Sequence, residues 1–95
     1  MSDQVVVKFF AGVRETTGEV MTTVAIGGTD TVTEVLRRLS ATYGPRFREL
    51  TLGPDGLGDG IIVMVNGQNV RLGKAGDTIL HDGDEMAVFS LIAGG

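Results

Sequence analysis

Thr31-Val-Thr-Glu-Val-Leu-Arg-Arg-Leu-Ser-Ala-Thr-Tyr-Gly-Pro45 decides the architecture of this chain. Its first four residues form a capping box, in which the Thr31 hydroxyl accepts from the Glu34 N–H while the carboxylate reaches back. Val32, Val35, Leu36, Leu39 and Tyr43 then recur at helical spacing, with Arg37 and Arg38 on the opposite side. Gly44 suits the position just past the last turn, and Pro45 prevents continuation. Residues 46–50 have room for another turn. The stretch is therefore one amphipathic helix with a single apolar stripe to bury.

What lies on either side supplies the partner for that stripe. Gln4–Phe10 is β-branched and aromatic, and so a strand. Ala11–Gly18 is a short polar link with room for a turn of helix, and Glu19–Ile26 completes an N-terminal hairpin that Gly27-Gly28 ends. After the helix, Thr51–Gly60 holds four glycines and one proline and reads as a surface loop. Ile61–Val65 is a strand, Asn66-Gly67 a hairpin turn, and Gln68–Leu72 the return. Asp77–Leu80 is brief, His81-Asp-Gly-Asp84 is a turn, and Glu85–Ile92 is the last strand. Two hairpins can bury the helix between them only by wrapping a sheet across it. The first and last strands are the most apolar, which places them at the centre, side by side and parallel. The prediction is an α+β chain with the β-grasp (ubiquitin-like) fold, a mixed sheet over one main helix. It comprises a single domain, 1–95, with a flexible tail at 92–95.

Composition narrows the function. The 95 residues are 42% hydrophobic and 21% charged, a globular balance. Surface scaling has such a chain bury roughly 64% of its unfolded surface, enough for one modest core. There is no cysteine, which removes disulfides, thiolate nucleophiles and zinc knuckles. The net charge is −4, all of it in residues 51–95, where two basic residues face six acidic ones. Nucleic acid is thereby disfavoured as a partner. No apolar run approaches the ~20 residues of a membrane span, and Met-Ser-Asp-Gln has no basic flank of a secretory signal. The expected location is cytoplasmic.

Strand alternation identifies a second surface. Val5, Val7 and Phe9 share one face of the first strand, and Val6, Lys8 and Phe10 the other. In the last strand Met86 and Val88 share one face, and Glu85, Ala87, Phe89 and Leu91 the other. A single helix covers one side of a sheet, so Lys8 and Glu85 mark the uncovered side and carry Phe10 and Phe89 with them. Either this aromatic pair stands exposed, as interaction patches do, or residues 11–18 or 51–60 fold over it as satellite core.

Catalytic chemistry within the chain is not expected. His81, the only histidine, sits in a turn whose Asp82 and Asp84 are turn formers, and Ser2, Ser40 and Ser90 lack a nucleophile context. Asp55-Gly-Leu-Gly-Asp-Gly60 fails as a calcium loop, with Leu57 at the third ligand position and Asn66 where the bidentate glutamate belongs. No metal site and no bound cofactor are expected. What remains is Ala93-Gly94-Gly95, whose two glycines leave no side chain near a terminal carboxylate that can thread a narrow channel.

Taken in order, Val7-Lys-Phe-Phe-Ala-Gly-Val-Arg-Glu15, the capped helix, Val65-Asn-Gly67 and Asp82-Gly-Asp-Glu85 leading to the diglycine span nearly the whole chain. In this it resembles the ubiquitin-like sulfur carrier family, and within it the small subunit of molybdopterin synthase. The resemblance implies that a partner of the ubiquitin-activating type adenylates the carboxylate of Gly95 with ATP and magnesium. A persulfide donor then converts it to a thiocarboxylate. The catalytic large subunit of molybdopterin synthase takes up the tail and passes the sulfur to a pterin precursor, building the dithiolene of the molybdenum or tungsten cofactor. Gly95 would carry the sulfur and Gly94 allow the approach. Phe10, Phe89, Leu91, Ile92 and Ala93 would contact the partners. The chain itself would be a non-catalytic subunit or co-substrate. Where the family has Phe-Pro-Pro-Val, this chain has Phe89-Ser-Leu-Ile92, and its glycine-rich 51–60 segment is similar to that of archaeal small modifier proteins and of carriers for cysteine synthesis. Sulfur delivery to cysteine, thiamine or tRNA, conjugation to lysines of target proteins, and a plain interaction module are the other readings.

Overall fold

The computed structural model describes residues 3–54, 56–70 and 78–91. The elements run β1 (Asp3–Phe10), α1 (Ala11–Thr17), β2 (Met21–Ile26), α2 (Val32–Tyr43), α3 (Pro45–Thr51), β3 (Leu52–Gly53), β4 (Gly56–Leu57), β5 (Ile61–Val65), β6 (Gln68–Asn69) and β7 (Glu85–Ser90). The main sheet has the order β2-β1-β7-β5-β6. Its central pair, β1 and β7, is parallel, with Val6 opposite Glu85 and Phe10 opposite Phe89. Both flanking pairs are antiparallel. This is the β-grasp arrangement that the order of hairpin, helix and hairpin requires. Among the described residues no helix is long and apolar enough to cross a membrane.

The core forms where α2 meets the covered face of the sheet. Val5, Val7 and Phe9 of β1 and Met86 and Val88 of β7 are fully buried, facing Val32, Val35 and Leu36 of α2. Phe9 anchors an aromatic cluster, edge-on to Tyr43 at 5.6 Å and to Phe47 at 6.1 Å between ring centroids. Thr31 caps α2 by accepting from the Glu34 N–H at 3.4 Å, and its hydroxyl donates to the Glu34 carboxylate at 3.2 Å. Asp30, just before the cap, accepts from the Gly27 N–H at 2.7 Å and from the Arg38 guanidinium at 3.1 Å. Arg38 also donates to the Ala25 carbonyl, so α2 is tied to β2.

Two segments are more helical than the sequence required, and one expected loop is folded. The main helix has two companions. Gly44 ends α2 at φ 95°, and Pro45, whose missing N–H costs nothing at a first helical position, starts the seven-residue α3. The link after β1, where the sequence left room for a turn of helix, is likewise helical over Ala11–Thr17, with Gly18 as its C-cap. The segment 51–60 is a folded corner and not a loop in solvent: Thr51 is fully buried, Leu57 is buried, and β3 pairs with β4. Gly58 makes this corner possible. Its N–H donates to the Thr51 carbonyl at 2.9 Å, and a Cβ there would lie 2.8 Å from the Leu50 carbonyl oxygen.

The last strand, expected over Glu85–Ile92, is observed as Glu85–Ser90. At the other hairpin, Asn66 and Gly67 take positive φ values of 51° and 84°. This is the backbone that Asn-Gly supplies without strain. Asn66 also fastens the turn to the start of β7, donating to Asp84 at 2.9 Å and accepting from the Glu85 N–H at 3.0 Å.

Candidate functional site

The candidate site is the face of the sheet that α2 does not cover. Alternation along β1 and β7 delivers Lys8, Phe10, Glu85 and Phe89 to it together. Lys8 Nζ lies 2.8 Å from Glu85 Oε1, across the central strand pair. Phe10 and Phe89 stack face to face, 4.6 Å between centroids at an interplanar angle of 9°. Both rings are half-buried, unlike the fully buried Phe9 beside them. Ile62 and Met64 of β5 stand opposite Phe89 and Ala87, and Met21 of β2, 48% exposed, stands opposite Lys8. The face is thus an apolar patch with one ion pair set into it. That pair is solvent-exposed and contributes little to stability; its use is to fix the charge pattern of the surface.

Sequence reasoning missed Arg14. It lies on α1, and its guanidinium carbon sits 5.4 Å from the centroid of Phe10, while Nε donates to the Phe9 carbonyl at 3.0 Å. A cation over an aromatic face is favourable, and here it also holds the ring against the sheet. The one signal was an arginine four residues after Phe10, and it carries meaning only once α1 is known to be helical. The chain enters α1 sharply, with Ala11 at φ 53°.

Leu91 is 66% exposed at the end of β7, and its N–H donates to the Gly60 carbonyl at 2.7 Å. The other expected site residues, Ile92, Ala93, Gly94 and Gly95, lie outside the described residues. His81 is exposed, with Nδ1 3.9 Å from Asp84 Oδ2. Asp84 accepts from the His81 N–H at 2.8 Å within the turn, whereas Asp82 accepts from the Gln4 N–H at 2.9 Å and so ties the turn to β1. The carboxyl of Asp30 is held below its ordinary value, first by the hydrogen bond from Arg38, and belongs to the α2–β2 tie.

Comparison with known proteins bears on the same elements. The model of the ThiS family matches residues 7–95, from the middle of β1 through β7 to the last glycine. The chain belongs to the ThiS family. This is a family of ubiquitin-like sulfur carriers and modifiers. Among solved structures, the HVO 2177 protein of Haloferax volcanii is 30% identical with a TM-score of 0.86, over 99% of this chain and 88% of that one. SAMP1 of the same organism is 31% identical with a TM-score of 0.76, over 97% and 99% of the two chains. A putative molybdopterin converting factor subunit 1 from Pyrococcus furiosus is 25% identical with a TM-score of 0.76, over 96% and 100%. No curated protein sequence is significantly similar.

Proposed function

We propose that this ThiS-family chain carries sulfur on Gly95 for the assembly of molybdopterin. The carboxylate of Gly95 attacks the α-phosphorus of ATP, with magnesium, on an adenylating enzyme of the ubiquitin-activating type, and pyrophosphate leaves. The terminal sulfur of a persulfide then displaces AMP to give an acyl disulfide, and a thiol cleaves it to the thiocarboxylate and a disulfide. The catalytic large subunit of molybdopterin synthase consumes the thiocarboxylate, and the carrier leaves with its carboxylate restored.

The observation that supports this reading is the place of the aromatic stack. Phe10 and Phe89 stand half-buried on the open face near the end of β7, and Gly95 lies four residues beyond Leu91. Four extended residues reach about 14 Å at most. A partner seated on the stack and reaching Leu91 therefore has the reacting carbonyl within that distance of Leu91. Glycine at 94 and 95 removes the side chains that would fill a narrow entry. The resemblance to the Pyrococcus furiosus protein supports the molybdopterin pathway among the pathways open to the family.

The test is reconstitution. Thiocarboxylated protein is mixed with a molybdopterin synthase catalytic subunit and a pterin precursor, and dithiolene formation is followed. Deleting Gly95 should abolish transfer without altering the fold. Full activity of the deleted form would refute the proposal.

A second reading, conjugation to lysines, is favoured by the 31% identity to SAMP1, a small archaeal modifier protein by its name. It has a distinct signature. The last basic residue is Lys74, so trypsin would leave residues 75–95 on a target lysine and not a bare diglycine.

A further inference from the structure

We propose that the groove between α2 and α3 is a second docking surface, one that takes a short acidic segment of a partner protein. The groove has a volume of about 470 Å³ and is lined by Arg37, Ser40, Ala41, Gly44, Pro45 and Arg48. Of the basic side chains in the first fifty residues, four are engaged. Lys8 pairs with Glu85, Arg14 holds Phe9 and Phe10, Arg38 pairs with Asp30, and Arg46 also has a partner. The guanidinium groups of Arg37 and Arg48 form no ion pair or hydrogen bond with any described residue, and both residues are exposed. The two uncommitted guanidinium groups of this half therefore converge on one groove. No carboxylate lines it. Glu34, a turn before Arg37, accepts from Thr31 instead.

In a chain of net charge −4, such a pocket of unpaired positive charge is a local exception. The charge complement is a carboxylate-bearing segment. A guanidinium presents a planar fork that matches a carboxylate in two parallel hydrogen bonds. Two arginines are too few to offset the repulsion between an acidic chain and a nucleic-acid backbone. The floor of Ala41, Gly44 and Pro45 has no long side chain, which lets an extended backbone approach. The groove belongs to the helical layer, whereas Phe10 and Phe89 lie on the other side of the sheet. An acidic partner can thus hold the chain by its helices while the aromatic face and the tail are engaged elsewhere, which allows transfer between partners without release.

The experiment is a titration of the ¹⁵N-labelled full chain with the peptide acetyl-Glu-Glu-Leu-Glu-Glu-amide at low ionic strength. The expected result is saturable shifts at Arg37, Ala41, Gly44 and Arg48. Affinity should fall as salt is added and fall about tenfold or more in the Arg37→Glu, Arg48→Glu double variant. Arg37→Gln with Arg48→Gln, which adds no repulsion, should show a smaller loss, and Phe89→Ala should bind the peptide as the parent does. Absence of saturation, an affinity unchanged in both double variants, shifts centred on Phe10 and Phe89, or equal binding of a short oligonucleotide would each overturn the proposal.

Discussion

Phe9 and Phe10 are consecutive residues of β1, and the account requires their loss to have very different consequences. Phe9 is fully buried and meets Tyr43 and Phe47 edge-on. Phe9→Ala removes the largest kind of core side chain and leaves a cavity that α2 and α3 cannot close, at a cost of about 3–5 kcal/mol. Phe10 is half-buried and loses its stack with Phe89 and the contact with Arg14. An aromatic pair is worth about 0.5–1.5 kcal/mol beyond its area, so Phe10→Ala should cost about 1–2 kcal/mol in all. A chain of 95 residues has a total stability of about 5–14 kcal/mol. The first variant therefore spends a large part of it and the second a small part. At about 4–8 °C per kcal/mol, Phe10→Ala should lower Tm by about 5–15 °C and Phe9→Ala by about 12–40 °C. Far-ultraviolet circular dichroism with urea is the suitable assay, because the chain has no tryptophan and one tyrosine. Equal losses in the two variants would refute the assignment of an open face, because they would place both rings in a core.

Two further predictions concern the frame that holds this face. Gly58→Ala sets a methyl group against the Leu50 carbonyl at 2.8 Å, and should cost about 1–3 kcal/mol by urea denaturation, more than Gly28→Ala, where nothing lies within 4 Å. Asp30 is held below its ordinary pKa of 3.8, first by the hydrogen bond from Arg38 and then by that from the Gly27 N–H. A depressed carboxyl stabilises the fold above its unfolded pKa and loses that contribution as pH falls through the lower folded value. The Tm gap between the parent and Asp30→Asn should therefore be full at neutral pH and close below pH 3.8; a gap that stays constant or widens in acid would contradict the role given to the pair.

Much of the architecture is legible in the sequence because each main element carries its own boundary marks. Thr31, Glu34, Gly44 and Pro45 delimit α2, Asn66-Gly67 fixes one hairpin, and the apolarity of β1 and β7 sends both to the centre. Period-two alternation then brings Phe10 and Phe89 to one face without any knowledge of the register. What sequence hides are features made by backbone close approach. The glycines of 51–60 look like solvent-exposed loop, yet Gly58 uses its missing Cβ to press the segment onto Leu50 and Thr51. Likewise α1 is too short and too polar to show a hydrophobic period, so Arg14 has no assigned neighbour until the helix is seen. The convergence of Arg37 and Arg48 depends on α3, which starts at the proline that otherwise reads as a stop.

The central claim is that Gly95 carries sulfur, and the most direct measurement is the mass of the protein purified untagged from its own cells, with fragmentation from the C-terminus. Oxidation of any of the four methionines adds nearly the same mass as exchange of oxygen for sulfur, so position within the fragments is decisive. The account predicts a sulfur-for-oxygen increase confined to Gly95. An unmodified carboxylate there, persisting after incubation with ATP, magnesium, sulfide and an activating enzyme, would contradict it.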